Sequence, residues 1–307
     1  MKRLLILSFV LLQFGTICSA AGKETRTAPA VERNVVYGMY SGLALLLDVH
    51  RPAKPNGYGI VFISGSGWQT APEYGAGPLK NNQIDLWGPP LTAAGYTVFA
   101  INHRGSPRFH FPAALDDTQR AIRFVRSHAK AYGIEGAKLG GLGGSSGGNL
   151  LGLAALLAAP GVSSDVDAVN RESSALQAIV LRAAVSDLRT VTAPAGVGYV
   201  VSYLEAGYSE APAVKALYAA ASPIAQVSSR APPTLLLHGD ADNLIPYQQS
   251  VEMEAALRAA NVPTRLVTIP GGGHGVDFVP GDKPHPDWPD YYGETVAWFD
   301  KYLRGKP

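Results

Sequence analysis

Short, almost unbroken apolar runs recur along this chain at Gly59–Ile63, Tyr96–Ile101, Ala178–Leu181 and Thr234–Leu237. A run without polar alternation is what a strand looks like when both of its faces are covered. Between the runs lie segments with helical spacing. Pro112 opens one, with Leu115, Thr118, Ile122, Val125, Ala129 and Tyr132 at steps of three and four, and Gly133 ends it. Others span Asn149–Ala158, Pro246 to about Ala260, and Tyr292–Leu303. Further strands are expected at Lys138–Leu142 and Arg265–Ile269, and a leading hairpin at Val35–Tyr37 and Leu43–Val49. Strand–helix alternation of this kind predicts an α/β fold, a mostly parallel central sheet with helices on both faces. Residues 161–177 and about 189–230 break the alternation and read as insertions, the second placed to form a small lid or cap over a site. No Pro/Gly/Ser-rich linker divides the chain, so 33–307 reads as one domain, preceded by a flexible lead over 21–32.

The first twenty residues read as an address. Lys2 and Arg3 precede the apolar run Leu4–Leu12, and Cys18-Ser19-Ala20-Ala21 offers small residues for cleavage near Ala20. The run is shorter than the ~20 apolar residues a membrane span needs. A secreted or periplasmic location is therefore expected, without stable membrane insertion. Cleavage removes Lys2, Arg3 and the single cysteine, leaving 24 basic and 24 acidic residues. That balance gives no electrostatic footprint for nucleic acid. Loss of Cys18 excludes a cysteine nucleophile and a cysteine-based metal site in the exported chain.

Gly143-Gly144-Ser145-Ser146-Gly147 matches G-x-S-x-G, between a strand and a helix. A serine on such a turn projects its hydroxyl above the sheet, and bulky neighbours would clash with strand or helix. The following helix aims its N-terminus at developing negative charge. A dinucleotide loop needs glycine where Ser146 stands, and no Gly-Lys-Ser/Thr is present for a P-loop. Ser146 is the neighbouring alternative nucleophile, but only Ser145 has glycine at both −2 and +2.

A serine nucleophile needs a base and an orienting acid, downstream in the order serine, acid, histidine. Of the downstream histidines, His274 lies in Gly271-Gly272-Gly273-His274-Gly275, just past the last strand. His285 sits between two prolines in a polar loop, and His238 ends a strand, where it holds a turn. Asp242 follows the strand Thr234–Leu237; Asp240 in the same loop and Asp187 after the preceding strand are its rivals. The positions at successive strand ends favour Ser145, Asp242 and His274 as a triad. An oxyanion hole is expected from the amides of Ser146 and of Ser66 and Gly67, in Ser64-Gly65-Ser66-Gly67-Trp68 after the strand Gly59–Ile63. Trp68 is expected in the pocket wall.

Four stretches carry a family resemblance. Gly143-Gly144-Ser145-Ser146-Gly147-Gly148-Asn149-Leu150 resembles G-D-S-A-G-G-N-L, and Ser64–Trp68 stands where H-G-G-G-W is found. His103-Arg104-Gly105-Ser106-Pro107, continuing through Phe111–Asp117, resembles Y-R-L-S-P…F-P-A-A-L-D-D. His238–Pro246 resembles H-G-x-x-D-x-x-V-P. The chain thus resembles the hormone-sensitive-lipase-like esterases of the α/β-hydrolase fold, and among them the bacterial feruloyl and acetylxylan esterases, over about Val35–Leu303. The resemblance implies Ser145 as nucleophile, Asp242 as acid, His274 as base, and Ser66, Gly67 and Ser146 as oxyanion donors. Ser64 and Ser66 replace a histidine and a glycine of the family pattern, Ser146 an alanine, and His103 a tyrosine.

These features predict a secreted serine esterase that cleaves carboxylic esters through an acyl-enzyme, on small-molecule or oligosaccharide substrates. Acetyl or feruloyl esters of carbohydrates are what the resemblance implies. No metal or organic cofactor enters this chemistry. Two alternatives stay open: a peptidase resembling prolyl oligopeptidases, which share the triad order, and a non-catalytic hydrolase-fold binding protein, for which the altered Ser64–Gly67 loop speaks.

Overall fold

A computed structural model describes residues 30–70, 78–275, 278 and 287–306. The expected leader over 1–20 with Cys18, nearly all of the lead over 21–32, and His285 lie outside them. Eight strands form one sheet: β1 (Val31–Tyr40), β2 (Leu43–His50), β3 (Gly59–Ile63), β4 (Thr97–Ile101), β5 (Leu139–Gly144), β6 (Ala178–Arg182), β7 (Thr234–Gly239) and β8 (Thr264–Ile269). Their order is β1-β2-β4-β3-β5-β6-β7-β8. The first two pairings, β1 with β2 and β2 with β4, are antiparallel, and all later ones are parallel.

The helices are α1 (Pro78–Asn81), α2 (Ile84–Ala93), α3 (Ala113–Ser127), α4 (Ala129–Tyr132), α5 (Ser146–Leu156), α6 (Pro194–Leu204), α7 (Pro212–Ala220), α8 (Gln248–Ala259) and α9 (Tyr291–Arg304). Two apolar cores result, one on each face of the sheet. Alternate side chains along a strand feed opposite cores. In β3, Val61 and Ile63 join Ile122 of α3, Leu151 of α5 and Leu257 of α8. Ile60 and Phe62 join Trp87 of α2 and Phe299 of α9. This is the α/β-hydrolase architecture, and the unbroken apolar runs are its doubly covered strands. No helix among the described residues is long and apolar enough to cross a membrane.

Three details differ from the sequence pattern. The helix expected from Pro112 to Tyr132 breaks at His128, whose φ of −102° and ψ of 10° are not helical and whose ring nitrogen meets the Phe124 carbonyl at 2.9 Å. The helix after Ser145 begins at Ser146 rather than at Asn149. Pro89 and Pro90 ordinarily disfavour a helix interior, yet both stand inside α2. Burial prevails there: Trp87 is 1% exposed, with Tyr292 at 4.8 Å and Tyr291 at 5.8 Å between ring centroids.

The parallel strands β5 to β8 bring four C-terminal ends to one edge of the sheet, where open α/β sheets bind ligands. The Arg104 and Asp117 of the family-like stretch belong to the frame. The guanidinium donates to the carboxylate at 2.8–3.0 Å and the Arg104 N–H adds a bond at 2.7 Å, tying the segment after β4 to α3.

Candidate active site

Ser145 stands between β5 and α5 with φ 53° and ψ −125°, a conformation costly for a residue with a side chain. Its flanking glycines make the turn feasible. A Cβ on Gly143 would lie 2.5 Å from the Gly147 carbonyl oxygen, and one on Gly147 2.3 Å from that of Ile63. The Ser145 N–H donates to the Arg182 carbonyl at 2.8 Å. The result lifts Oγ above the strand ends.

His274 follows β8 and presents Nε2 to Ser145 Oγ at 3.0 Å. Its Nδ1 meets Asp242 Oδ2 at 2.7 Å. Asp242 lies in the loop after β7, its side chain fully buried. Oδ1 accepts the Leu244 and Ile245 N–H groups, both at 2.9 Å. Burial alone pushes this carboxyl up. Hydrogen bonds from His238 and His274, the charge of His274 and the Ile245 amide outweigh it and hold Asp242 well below the usual carboxylate range. The three residues form a continuous chain of hydrogen bonds from Oγ to the carboxylate, with an acceptor-only carboxylate fixing the proton of His274 on Nδ1 and leaving Nε2 to accept from Ser145.

The other sequence candidates are placed elsewhere. Asp187 directs its carboxylate to Arg189, which donates from Nε at 2.8 Å, Nη2 at 2.6 Å and its amide at 2.9 Å. Asp240 accepts the Gly271 N–H at 2.6 Å and holds that turn. His103 is buried with Nδ1 2.8 Å from the Arg104 carbonyl, and burial pushes its pKa below the ordinary histidine value. His238 does more than hold a turn: its Nε2 lies 3.1 Å from Asp242 Oδ2, beside the His274 contact.

The residues expected to supply the oxyanion amides all line one cavity of about 350 Å3 with Ser145 and His274. Ser146 is the first residue of α5, so its N–H has no intrahelical acceptor. Ser66 departs from expectation, because its N–H already donates to Ser146 Oγ at 2.9 Å. That contact exists only because serine replaces the alanine of the family pattern. The loop is also braced differently. Where the pattern has histidine, Ser64 Oγ donates to the Asn82 carbonyl. Asn82 Nδ2 returns a bond to the Gly65 carbonyl at 2.7 Å, and the Gly65 N–H approaches Gln83 Oε1 at 3.4 Å. Gln83 pays for this position with φ 67°.

Trp68 is 2% exposed and forms part of the cavity wall. It stacks on Tyr203 at 4.6 Å and donates from Nε1 to Asn149 Oδ1 at 3.1 Å. Asn149 in turn donates to the Val185 and Ala221 carbonyls, both at 3.0 Å, which explains an asparagine in a helix core. Further lining comes from 189–230 and the loop after β7: Val191, Tyr199, Val200, Leu244 and Ile245. Sequence reasoning missed these, and missed Asn82, Gln83 and Arg182. Apart from Leu244 and Ile245, which lie in the His238–Pro246 stretch, none sits in a chemically marked motif, and only the breakdown of strand–helix spacing over 189–230 pointed toward the cavity.

A strained serine at a strand–helix turn, joined to a histidine and a buried carboxylate at the ends of neighbouring parallel strands, defines an α/β-hydrolase site. A model of the BD-FAE family matches residues 47–257, more than two thirds of the chain. The chain belongs to that family. It is 32% identical over 207 residues to Esterase LipQ of Mycobacterium tuberculosis, covering 66% of this chain and 46% of that protein. It is 30% identical over 250 residues to Ethyl acetate hydrolase of Pseudomonas putida, covering 78% and 72%. The chain spans about half the length of the mycobacterial relatives it matches. Among solved structures, a truncated carbohydrate esterase from gut microbiota superposes with a TM-score of 0.72 at 26% identity, over 90% of this chain and 97% of that one. An acetyl ester-xyloside bifunctional hydrolase from Caldicellulosiruptor lactoaceticus gives 0.67 at 28% identity, over 84% and 87%.

Proposed function

We propose that this chain is a serine esterase acting on short-chain carboxylic esters, with esters of carbohydrates as its substrate class. The observation that carries the reading is the hydrogen-bonded run from Ser145 Oγ through His274 to Asp242, at 3.0 and 2.7 Å. As the substrate carbonyl enters, Ser145 Oγ attacks its carbon and His274 Nε2 takes the hydroxyl proton. Asp242 keeps the imidazole in the required tautomer and stabilises its positive form. The amides of Gly67 and Ser146 stabilise the tetrahedral oxyanion, a donor of this kind contributing about 3 kcal/mol to the barrier. His274 then protonates the leaving alcohol. Water repeats the sequence on the acyl-enzyme and releases the acid.

The cavity, at about 350 Å3, is near the lower end of ligand pockets, roughly 300–1,000 Å3. That supports a small acyl group. Its lining combines apolar side chains at Val191, Val200 and Leu244 with polar ones at Asn82 and Gln83, which supports a substrate with apolar and polar parts. Two similar solved structures are described as a carbohydrate esterase and an acetyl ester hydrolase, which supports the same class. The basic start and the apolar run Leu4–Leu12 support export. N-terminal sequencing of the processed protein tests this, with a start near Ala21 expected.

The function is tested with p-nitrophenyl esters of increasing chain length, methyl ferulate and acetylated xylan, together with a fluorophosphonate probe. We expect stoichiometric labelling that Ser145→Ala abolishes, and turnover greatest on acetyl or other short acyl groups. A wild-type protein that takes no label is a binding protein, not an esterase.

A further inference from the structure

Arg182 ends β6, in the sheet between the strand that leads to Ser145 and the strand that leads to Asp242. It is 1% exposed. A guanidinium taken out of water is costly unless its N–H groups find acceptors. The rest of β6, Ala178–Leu181, is apolar, and packing alone asks for an apolar residue at its end as well. Instead, Arg182 Nη2 donates to the His274 carbonyl at 2.8 Å and to the Gly275 carbonyl. The guanidinium carbon lies 5.2 Å from the centroid of the Phe278 ring, in the same segment. The main chain of the same residue accepts the Ser145 N–H at 2.8 Å. Its side chain also lies along the residue before the serine, since a Cβ on Gly144 would be 3.6 Å from Nη1. One residue is therefore bonded to both ends of the Ser145–His274 contact.

The loop it holds is almost without side chains. In Gly271-Gly272-Gly273-His274-Gly275 only one residue has a side chain larger than hydrogen. Main-chain tethers reach its first three residues: the Gly271 N–H meets Asp240 Oδ1 at 2.6 Å, the Gly272 carbonyl accepts from Ala241 at 3.0 Å, and the Gly273 N–H donates to Phe278 at 2.8 Å. At the His274 carbonyl the tether among the described residues is Arg182, which shares the Gly275 carbonyl with the Phe278 N–H at 3.0 Å. Both bonds leave one nitrogen, Nη2, whose two N–H groups are fixed in the guanidinium plane, whereas an ammonium is a point charge with rotatable donors.

We infer that Arg182 is a positioning residue that sets the separation of Ser145 Oγ and His274 Nε2 from both sides. The inference rests on the reading of these two as nucleophile and base. It is tested in the full-length protein with Arg182→Ala, Arg182→Lys and Arg182→Met. Displacing a reacting group by about 1 Å costs on the order of 100-fold in rate. In Arg182→Ala we therefore expect kcat on p-nitrophenyl acetate to fall about 100-fold, with KM changed less than about threefold. Guanidinium chloride at millimolar concentration should restore about tenfold of that loss, while sodium or ammonium chloride at equal ionic strength should restore none. Arg182→Met, which keeps the bulk without the fork, and Arg182→Lys, which keeps the charge without it, should both stay low. Either variant within about threefold of wild-type kcat overturns the inference, as does a folded Arg182→Ala without guanidinium rescue. Failure of all three variants to fold assigns Arg182 to the stability of the sheet and overturns it too. A wild type that takes no fluorophosphonate label fails the reading of the site itself, which separates that outcome from failure of the inference alone.

Discussion

His238 Nε2 and His274 Nδ1 meet the same carboxylate oxygen, Asp242 Oδ2, at 3.1 and 2.7 Å. The neighbours of His238 fix its proton. Nε2 also faces the Ile245 carbonyl at 3.1 Å, and both of its partners only accept, so Nε2 carries the hydrogen. Nδ1 lies 2.7 Å from Ser250 Oγ. A fully buried imidazole thus donates to the carboxylate oxygen that also meets His274. We expect His238→Phe to lower kcat by about 10- to 100-fold, the usual cost of losing a group that orients a functional ligand. His238→Gln retains a donor and should lose less. Equal losses in the two variants, measured on p-nitrophenyl acetate, would refute the hydrogen bond as the cause.

The two candidate acids separate cleanly by mutation. Asp242→Asn presents the wrong group to Nδ1 and should lower kcat by about 10⁴-fold. Asp187→Asn weakens the contact of a buried carboxylate with the half-exposed Arg189, outside the cavity lining, and should change kcat less than about threefold. Steady-state kinetics of the pair checks both. The reverse ranking would move the acid to the end of β6.

Acid lability should follow Asp242. Its folded-state pKa is depressed below the unfolded value of about 3.9. A depressed carboxylate contributes stability that is present above the unfolded pKa and is lost as pH falls through the folded one. The wild type's advantage over Asp242→Asn in urea midpoint should therefore be constant above about pH 5 and shrink below about pH 4. Urea titrations across pH 3–6 read this directly. An advantage that grows as pH falls contradicts the assigned direction.

The difference between what the chain displays and what it conceals has a physical basis. Ser145 was legible because its turn needs glycine at 143 and 147, a constraint on residue type at fixed spacing. Asp242 and His274 were legible because parallel strands end at one edge, so a residue just past an apolar run falls near the same point. Arg182 and Gln83 were not. Their work is done through carbonyls and amides that any residue carries, and those contacts form between segments about 90 and 18 residues apart in sequence. The helix α2 was hidden for another reason, since Pro89-Pro90 states a local preference that the burial of Trp87 overrides. The bond from Ser66 to Ser146 spans 80 residues, and two serines at those positions do not announce it.

That bond has a kinetic consequence. With Ser146 Oγ 2.9 Å from the Ser66 nitrogen, the substrate oxyanion competes with a side-chain hydroxyl for one of its expected donors. Ser146→Ala removes the competitor. A free oxyanion donor contributes about 10²–10³ in kcat, but Gly67 and Ser146 are proposed donors as well, so we expect a gain nearer to threefold to tenfold on p-nitrophenyl acetate. The same reasoning predicts a non-additive pair. Ser66→Pro deletes an N–H that is already engaged, and in the wild-type background it should cost less than about tenfold. In the Ser146→Ala background it deletes a donor to the substrate, and the cost should rise to about 10²-fold. A double-mutant cycle on kcat, with folding checked by circular dichroism, measures the difference. An additive cycle, with the same large cost of Ser66→Pro in both backgrounds, would mean that the Ser146 hydroxyl yields to the substrate and imposes no penalty.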